Sequence, residues 1–501
     1  MIDYNEILPD ESSKIEYKKN LNDLSNDIWE TVSAFENTEG GVIVLGITEK
    51  KKNNVTSFKV TGVNDAHKVV DEFWSAVNND VVSYPTVQND DVHVLDIDDK
   101  KIIEISIPEA PFAEKPVYIK KDLHNAYVRK GSTDVKAKGE DLKTLIRDSK
   151  PDLDTKVLRN YWLDDLDKES LEKYKEEYFK DSKHKKYENE SEESFLRRIG
   201  VISKDYDNDG KLGLTAGGLL FFGKNSSIIH EFPNFQLDLF DKSGPNRRYD
   251  TRISSIDEDL NIYTFFKEAW SLLSLMIQNE FKLNSDMKRI DTSGLLKEAV
   301  REGLLNSLMH ADYYGEIPIV ITARVNYFEF ENPGKMKISR EKFFTTTDSV
   351  NRNPIISKLF VQTGNGERAG QGGETIFSVA QNLSFNLPTI NTDLKKTTLK
   401  IWKVEYADSF DGNQIDENER LIIKSLTSKG SMSKKEIEEK TGLTRALSQK
   451  AIKKLEDKNI IVRNGKSRAT VYAIKTSREQ LLAKAESLPD LLRQLFNDLE
   501  N

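Results

Sequence analysis

Residues Leu295 to Gly315 read LLKEAVREGLLNSLMHADYYG. The stretch has the pattern of an amphipathic helix, with too much polarity near its end. Glu302 and Asn306 stand four residues apart, so a helix projects them side by side from one face. His310, Asp312 and Tyr313 follow where a simple cap would be expected. Downstream, IPIVITARVNYFEFENPGK (317–335) reads as two strands of a hairpin. A glycine-rich stretch, TGNGERAGQGGETIF, and a last strand, TTLKIWKV, follow it. Together they place the opening helix in an α/β region covering residues 201–405.

Upstream, the same region begins with DYDNDGKLGL. Asp205, Asp207, Asp209 and Gly210 match the first half of a calcium loop, but Ala216 stands where the bidentate glutamate belongs, so a polar turn is expected. AGGLLFFG and NFQLDLFD read as strands, and NIYTFFKEAWSLLSLMIQNEF as a long apolar helix. Residues 151–200 are helical and heavily charged, which predicts a solvated helical connector. Residues 1–150 alternate helix and strand signals. DLSNDIWETVSAFENT places Ile28, Val32 and Phe35 on one helical side, and GGVIVLGI is a buried strand after a Gly-Gly turn. HVLDI, KIIEISIP, PVYIK and NAYVRKG are further strands. The fold class is therefore multidomain α+β.

The chain has 501 residues, too many for one core. No apolar run approaches the ~20 residues that span a bilayer, and the first residues carry no hydrophobic signal region. The chain has no cysteine, which excludes disulfides, thiolate zinc sites and cysteine nucleophiles. The cytoplasm is the expected compartment. The net charge is −9, so contact with nucleic acid needs local basic patches.

Residues 415–475 supply one. DENERLIIKSL, SKKEIEEKTG and TRALSQKAIKKLEDKN are three helices, and IIVRNGKSRATVYAI is a hairpin turning at Asn464-Gly465. Three helices and a wing make the winged helix-turn-helix pattern. Between Ser428 and Arg468 there are 12 Lys/Arg and 5 Asp/Glu, a local +7. Leu447, Ile452 and Leu455 are expected to face the core. Thr444, Arg445, Ser448 and Gln449 are expected to face DNA, with Arg463, Lys466 and Arg468 on the wing. The tail, 476–501, repeats Leu488, Leu492, Leu495 and Leu499, a short stripe that suggests self-association, with packing on its own winged helix as the alternative.

Two resemblances add to this reading. EAVREGLLNSLMHADYYG resembles the N-box helix of the GHKL ATPase superfamily, to which gyrase and the histidine kinases belong. HADYY, Asn332-Pro333-Gly334, Arg352-Asn353-Pro354 and GERAGQGG occur in the order found in the divergent GHKL-like domain of bacterial regulators. The resemblance implies an α/β sandwich that takes ATP with magnesium. Glu302 would orient the attacking water and Asn306 would ligate the metal. Asn332, Gly334, Gly370, Gly372 and Gly373 would line the nucleotide site. The usual Asp-x-Gly-x-Gly adenine box is absent, and ENPGK stands in its place.

ESSKIEYKK (11–19), WETVSAFENTEGGVIVLGI (29–47) and KPVYIKKDLHNAYVRKGST (115–133) resemble the AlbA-like domain of Schlafen proteins. In nuclease members three carboxylates hold magnesium or manganese, and Glu11, Glu16 and Glu49 match them. The chain has Glu49 where the third ligand is usually aspartate. Glu11 and Glu16 have an odd separation, so their convergence needs a turn, which Ser12-Ser13 permits. Lys18, Lys19, Arg129 and Lys130 would contact phosphates in a nuclease or a simple binding domain. The leading expectation is a DNA-binding transcriptional regulator with a nucleotide-responsive domain, acting as a homo-oligomer. Its rivals are a metal-dependent endonuclease of DNA or RNA that acts as an effector in phage defence, and a scaffold that oligomerises on DNA.

Overall fold

The computed structural model describes residues 4, 8–19, 22–52, 55–150, 153–206, 209–244, 248–277, 281–283, 289–345, 350–366, 372–410, 414–465 and 470–486. The chain divides into two compact units, residues 1–151 with 393–395, and residues 152–392 with 396–501. Among the described residues no helix is long and apolar enough to cross a membrane.

The first unit runs β1 (Ile15–Lys18), α1 (Ile28–Asn37), β2 (Gly41–Leu45), β3 (Ile47–Lys52), β4 (Val55–Val60), α2 (Ala66–Asn78), β5 (Val92–Ile97), β6 (Lys100–Ile107), β7 (Tyr127–Lys130), β8 (Thr133–Lys136) and α3 (Glu140–Asp148). Its main sheet has the order β1-β2-β6-β5, with β1 parallel to β2 and the other pairs antiparallel. Ile28, Val32 and Phe35 form the buried side of α1, as their spacing requires. They pack with Ile43, Ile103 and Ile105 of the sheet and Val69 and Phe73 of α2. Gly40 turns the chain into β2 at φ +68°, where a Cβ would meet Ile107 O at 2.6 Å. PVYIK does not form the expected strand and makes only isolated bridges at Tyr118 and Ile119. The reason is Asn37, fully buried, whose amide takes both Val117 N and Val117 O at 2.7 Å in place of a neighbouring strand.

The second unit continues with α4 (Lys168–Tyr178), α5 (Glu192–Ile199), β9 (Ile202–Asp205), β10 (Lys211–Leu214), α6 (Ala216–Phe222), α7 (Asn225–Glu231), β11 (Leu237–Lys242), β12 (Thr251–Ser254), α8 (Ile262–Met276), β13 (Phe281–Leu283), β14 (Arg289–Asp291), α9 (Thr292–Met309), β15 (Ile319–Arg324), β16 (Tyr327–Pro333), α10 (Arg340–Thr345), α11 (Pro354–Gln362), α12 (Gly372–Asn382), β17 (Thr389–Thr392) and β18 (Lys396–Trp402). A mixed sheet of order β12-β11-β15-β16-β18-β17 is its frame, with β11 parallel to β15. Helices α8 and α9 pack against it. β9 and β10 form the polar hairpin expected in place of a calcium loop.

Two expectations fail here. AGGLLFFG is the helix α6, not a strand: Thr215 caps it by accepting Gly218 N at 3.0 Å, and all seven residues are buried. A short run that is apolar on every side has no period to separate helix from strand. Residues 151–200 are not a solvated connector. Leu171, Tyr174 and Tyr178 of α4 and Phe195, Leu196 and Ile199 of α5 belong to the same core as Phe221, Phe265 and Leu304. Tyr174 also donates to Leu359 O at 3.0 Å. The charges that dominate this stretch line the outer face of helices whose apolar residues recur at helical spacing.

The unit ends, among the described residues, with α13 (Glu417–Lys429), β19 (Ser431–Met432), α14 (Lys434–Thr441), α15 (Arg445–Asp457), β20 (Ile461–Asn464), β21 (Val471–Ile474) and α16 (Arg478–Glu486). Three helices surround a small core of Ile422, Ile423, Leu426, Ile437, Ile452, Leu455 and Tyr472. The strands β19-β21-β20 form the wing sheet. The local signals explain the helix ends. Asp416 and Ser433 make capping boxes with Glu419 and Glu436, and Gly442 stops α14 in the left-handed region at φ +69°. Leu488, Leu492, Leu495 and Leu499, on which self-association was expected, lie outside the described residues.

Candidate nucleotide pocket and nucleic-acid interface

The pair predicted on α9 is made: Asn306 Nδ2 donates to Glu302 Oε1 at 3.1 Å. Both side chains line a cavity of about 460 Å³, a size suited to a small-molecule ligand. The segments that follow α9 are tied to one another behind it. Asn353 donates from Nδ2 to Met309 O at 3.0 Å and Ala311 O at 2.8 Å, so a side chain from α11's N-cap closes the end of α9. Asp312 N donates to Pro333 O at 2.9 Å, and Tyr313 donates its hydroxyl to Leu308 O at 2.7 Å. Gly334 sits at φ +94°, where a Cβ would crowd Asp312 and Arg352, and its carbonyl accepts from Thr397 at 2.9 Å. This is why HADYY, NPG and RNP occur together: each supplies a partner to another's backbone. Asn332, buried to 7% exposure, lines the cavity beside them.

The cavity wall is strongly cationic. Among the described residues Lys335, Lys337, Arg352 and Lys358 line it, with the one carboxylate of Glu302. Arg352 donates to Lys335 O at 2.6 Å, and Lys358 to Arg198 O at 2.8 Å. Burial pulls the Lys358 amine below its ordinary pKa. His310, also on the wall, is pulled down to about 4 by burial and then by the charges of Arg352 and Lys337, so it is neutral at pH 7. A recess walled by cationic groups is suited to an anionic ligand. The sequence reading missed these four cations, although Lys335 directly follows NPG and Arg352 opens RNP.

Gly372 and Gly373 begin α12. Their smallness serves close packing: a Cβ on Gly372 would fall 1.8 Å from Glu302 Oε1, and one on Gly373 would fall 1.8 Å from Phe343 O of α10. The first obstacle is a side chain that can swing, and the second is backbone. Gly373→Ala is therefore expected to cost about 1–3 kcal/mol by overpacking, read as a lower urea midpoint. Gly372→Ala should leave stability nearly intact and displace Glu302 instead. Equal midpoints for the two variants would refute this assignment. Gly370 lies outside the described residues.

In the first unit the turn that Glu11 and Glu16 need is present, with Ser12 bridging to Ile15. Glu11 Oε1 accepts Tyr17 N at 3.0 Å. Burial raises the Glu11 carboxyl, and the charges of Glu16 and Glu49 add to it, opposed by the Tyr17 amide and Arg129. Among the described residues no three His, Cys, Asp or Glu side chains are arranged to hold an ion. Glu16 is engaged by Arg129 at 2.8 Å and Lys18 at 3.3 Å, and Glu49 by Lys51 at 3.0 Å. Arg129, expected to contact phosphate, is buried instead. Its side chain is 1% exposed and also binds Asp134 and the carbonyls of Ser12 and Ile15. Lys18 is held between Glu16 and Asp27, and Lys130 pairs with Asp141 at 2.6 Å, while Lys19 is exposed.

On α15, Thr444, Arg445 and Gln449 are exposed as expected, and so is Arg463 on the wing. Ser448 is not: it is fully buried, and its Oγ has no hydrogen-bond partner among the described residues. Leu447, expected in the core, is 44% exposed. The buried face of α15 runs through 448, 451, 452 and 455, so Ile452 and Leu455 are in the core as expected and Ser448 takes the inward place expected of Leu447. Lys466 and Arg468 lie outside the described residues.

Comparison with known families matches residues 11–138 to the Schlafen, AlbA_2 model and residues 415–462 to winged helix-turn-helix DNA-binding. The chain carries a Schlafen AlbA_2 domain and a winged helix-turn-helix. Residues 143–238 match a domain of unknown function, DUF8451, which joins α4–α7 to the start of the second unit's sheet. No curated protein matches the chain. Among solved structures, the DIP2311 protein from Corynebacterium diphtheriae aligns at 15% identity and TM-score 0.41, over 94% of this chain and 93% of that one. The N-terminal domain of a putative ATP-dependent DNA helicase RecG-related protein from Nitrosomonas europaea aligns at 27% identity and TM-score 0.20, over 26% of this chain and 88% of that one. In the AlbA_2 domain, then, Arg129 and Glu16 are joined internally. In the winged helix, Arg445, Gln449 and Arg463 remain at the surface.

Proposed function

We propose that the protein is a DNA-binding transcriptional regulator whose central pocket takes a nucleotide with magnesium. The observation that supports this most is the Glu302–Asn306 pair facing a recess walled by four cationic side chains, in the same unit as the winged helix. Asn306 gives its Nδ2 to Glu302, which leaves Oδ1 as the oxygen a magnesium ion would take. Glu302 can hold a water one helical turn away. Lys335, Lys337, Arg352 and Lys358 would receive phosphate oxygens. No aspartate lines the pocket among the described residues, so adenine recognition would fall to backbone and apolar contacts.

The test measures duplex affinity of the full chain for sites selected from a random pool, with and without ATP and magnesium. Arg445→Ala and Gln449→Ala should each cost ~1–3 kcal/mol on selected sites, the value of one base contact. ATP with magnesium should bind in calorimetry and shift duplex affinity, and Asn306→Ala should abolish the shift. A chain that binds duplex DNA equally well without residues 415–475, or that gives no heat with ATP, is not this regulator.

A metal-dependent nuclease is the second reading, favoured by the approach of Glu16 and Glu49 to Glu11. It requires Arg129 to release Glu16. Cleavage of labelled DNA or RNA with manganese, lost in the Glu11→Ala, Glu16→Ala double variant that still folds, would establish it. Binding without cleavage ends it.

A further inference from the structure

The winged helix is fastened to the pocket by its own C-terminal extension. Only residues 475–477 separate β21 from α16. Ser477 and Gln480 lock the start of α16 reciprocally, Ser477 N to Gln480 Oε1 at 3.2 Å and Gln480 N to Ser477 Oγ at 3.4 Å. Gln480 then donates from Nε2 to Pro388 O at 3.2 Å, just before β17. One turn on, Ala483 is 3% exposed and belongs to the central core, not to that of the winged helix. Along this face α16 packs on α10.

α10 is the pocket's wall. Phe343 lines the cavity, and its carbonyl fills the space that a side chain on Gly373 would need. α10 packs on α12, and α12 packs on α9, where Gly372 abuts Glu302. A continuous path of packed helices thus runs from Glu302 through α12, α10 and α16 to the wing. The interior is close-packed, so displacement of α10 by a ligand cannot be absorbed without moving α16. A second tether holds the front of the winged helix: Arg420 donates to Ala407 O at 2.7 Å and pairs with Asp408 at 2.8 Å, and Asn326 donates to Asp408 O at 3.3 Å. With the front held, a shift of α16 would act on the wing as a rotation.

We infer that α16 is the lever by which occupancy of the pocket sets the winged helix's grip on duplex DNA. The inference rests on the pocket being a nucleotide site, and its test separates the two. The full chain is compared with Gln480→Ala, which removes the Pro388 contact and half of the box, and with Ala483→Asp, which forces a carboxylate into the core. Duplex affinity is measured with and without ATP and magnesium, ATP binding is followed by calorimetry, and hydrogen exchange is followed at residues 340–345. Wild type should show a change in duplex affinity of roughly 5- to 150-fold, the usual range of coupling between sites. The variants should bind ATP normally and shift less than about one third as much on a logarithmic scale. Should Ala483→Asp fail to fold, Gln480→Ala carries the comparison. An undiminished shift in a folded variant overturns the lever. If no ATP binds, the pocket reading fails, and the lever is judged by its reverse direction, since coupling is reciprocal. Duplex DNA alone should then alter exchange in α10 of wild type and not of the variants, and unaltered exchange in wild type overturns it.

Discussion

Arg129→Ala should destabilise the AlbA_2 domain by about 3–5 kcal/mol, the usual cost of leaving a buried charge without its partner. The guanidinium is 1% exposed, and Glu16 and Asp134 beside it are 14% exposed. Its NH2 takes Ser12 O at 2.9 Å and Ile15 O at 3.2 Å, and so closes the turn that leads into β1. It also lies 5.1 Å over the Phe35 ring of α1. Removing it takes the guanidinium from both carboxylates and both carbonyls at once, leaving Glu16 with Lys18, Asp134 with Thr31 and Ile15 O with Ser12 N. Arg129→Lys should recover little, because one ammonium cannot reproduce the planar fork. Thermal or urea unfolding of the full chain reads the loss, and duplex affinity per folded molecule should not change. The opposite pattern, intact stability with weaker binding and a smaller salt slope, would return Arg129 to the phosphate-binding role read from its sequence.

Glu36→Gln should stabilise the same domain by about 3 kcal/mol at pH 8. Glu36 is fully buried on α1, and desolvation lifts its carboxyl to about 7, against the opposing pull of Thr86 N and Thr86 Oγ1 at 2.8 and 2.9 Å. Its second oxygen has no hydrogen-bond partner among the described residues. The folded carboxyl titrates near 7 and the unfolded one near 4.5. Between those values the folded chain holds a proton that the unfolded chain has lost, so stability is fully present below about 4.5 and falls as pH rises to about 7. Glutamine keeps the acceptor for Thr86 and cannot ionise. Wild type and variant should therefore match at pH 4 and diverge above pH 5, with the glutamine form more stable. Parallel pH profiles from unfolding at pH 4, 6 and 8 would remove Glu36 as the cause.

The polar pair in the pocket was legible because it is local. Glu302 and Asn306 are four apart on a helix, and that spacing alone makes them neighbours. In α15 the inward residue of the first turn was not legible. The run RALSQKAIKKLED places Leu447 and Ser448 side by side in sequence, and adjacent helical positions point about 100° apart. The structure resolves it through Ala451, Ile452 and Leu455, which leave 448 on the inner face.

By itself the sequence determined the element types with strong periods and caps: the buried side of α1, the helix α9, the Gly442 stop, the capping boxes at Asp416 and Ser433, and hence the winged helix. These depend on residues within a few positions of one another. The tertiary structure alone decided what each polar residue does. Arg129 binds Ser12, 117 residues away, and so became a strut instead of a DNA contact. Asn353 caps α9 from 42 and 44 residues downstream. Lys335, Arg352 and Lys358 come together only when β16, α11 and α9 meet around one cavity. A charged or amide side chain carries no sign in the sequence of whether it will face water, a ligand or a buried partner. That choice is made by the energy of desolvating it, which exists only once the fold supplies the surroundings.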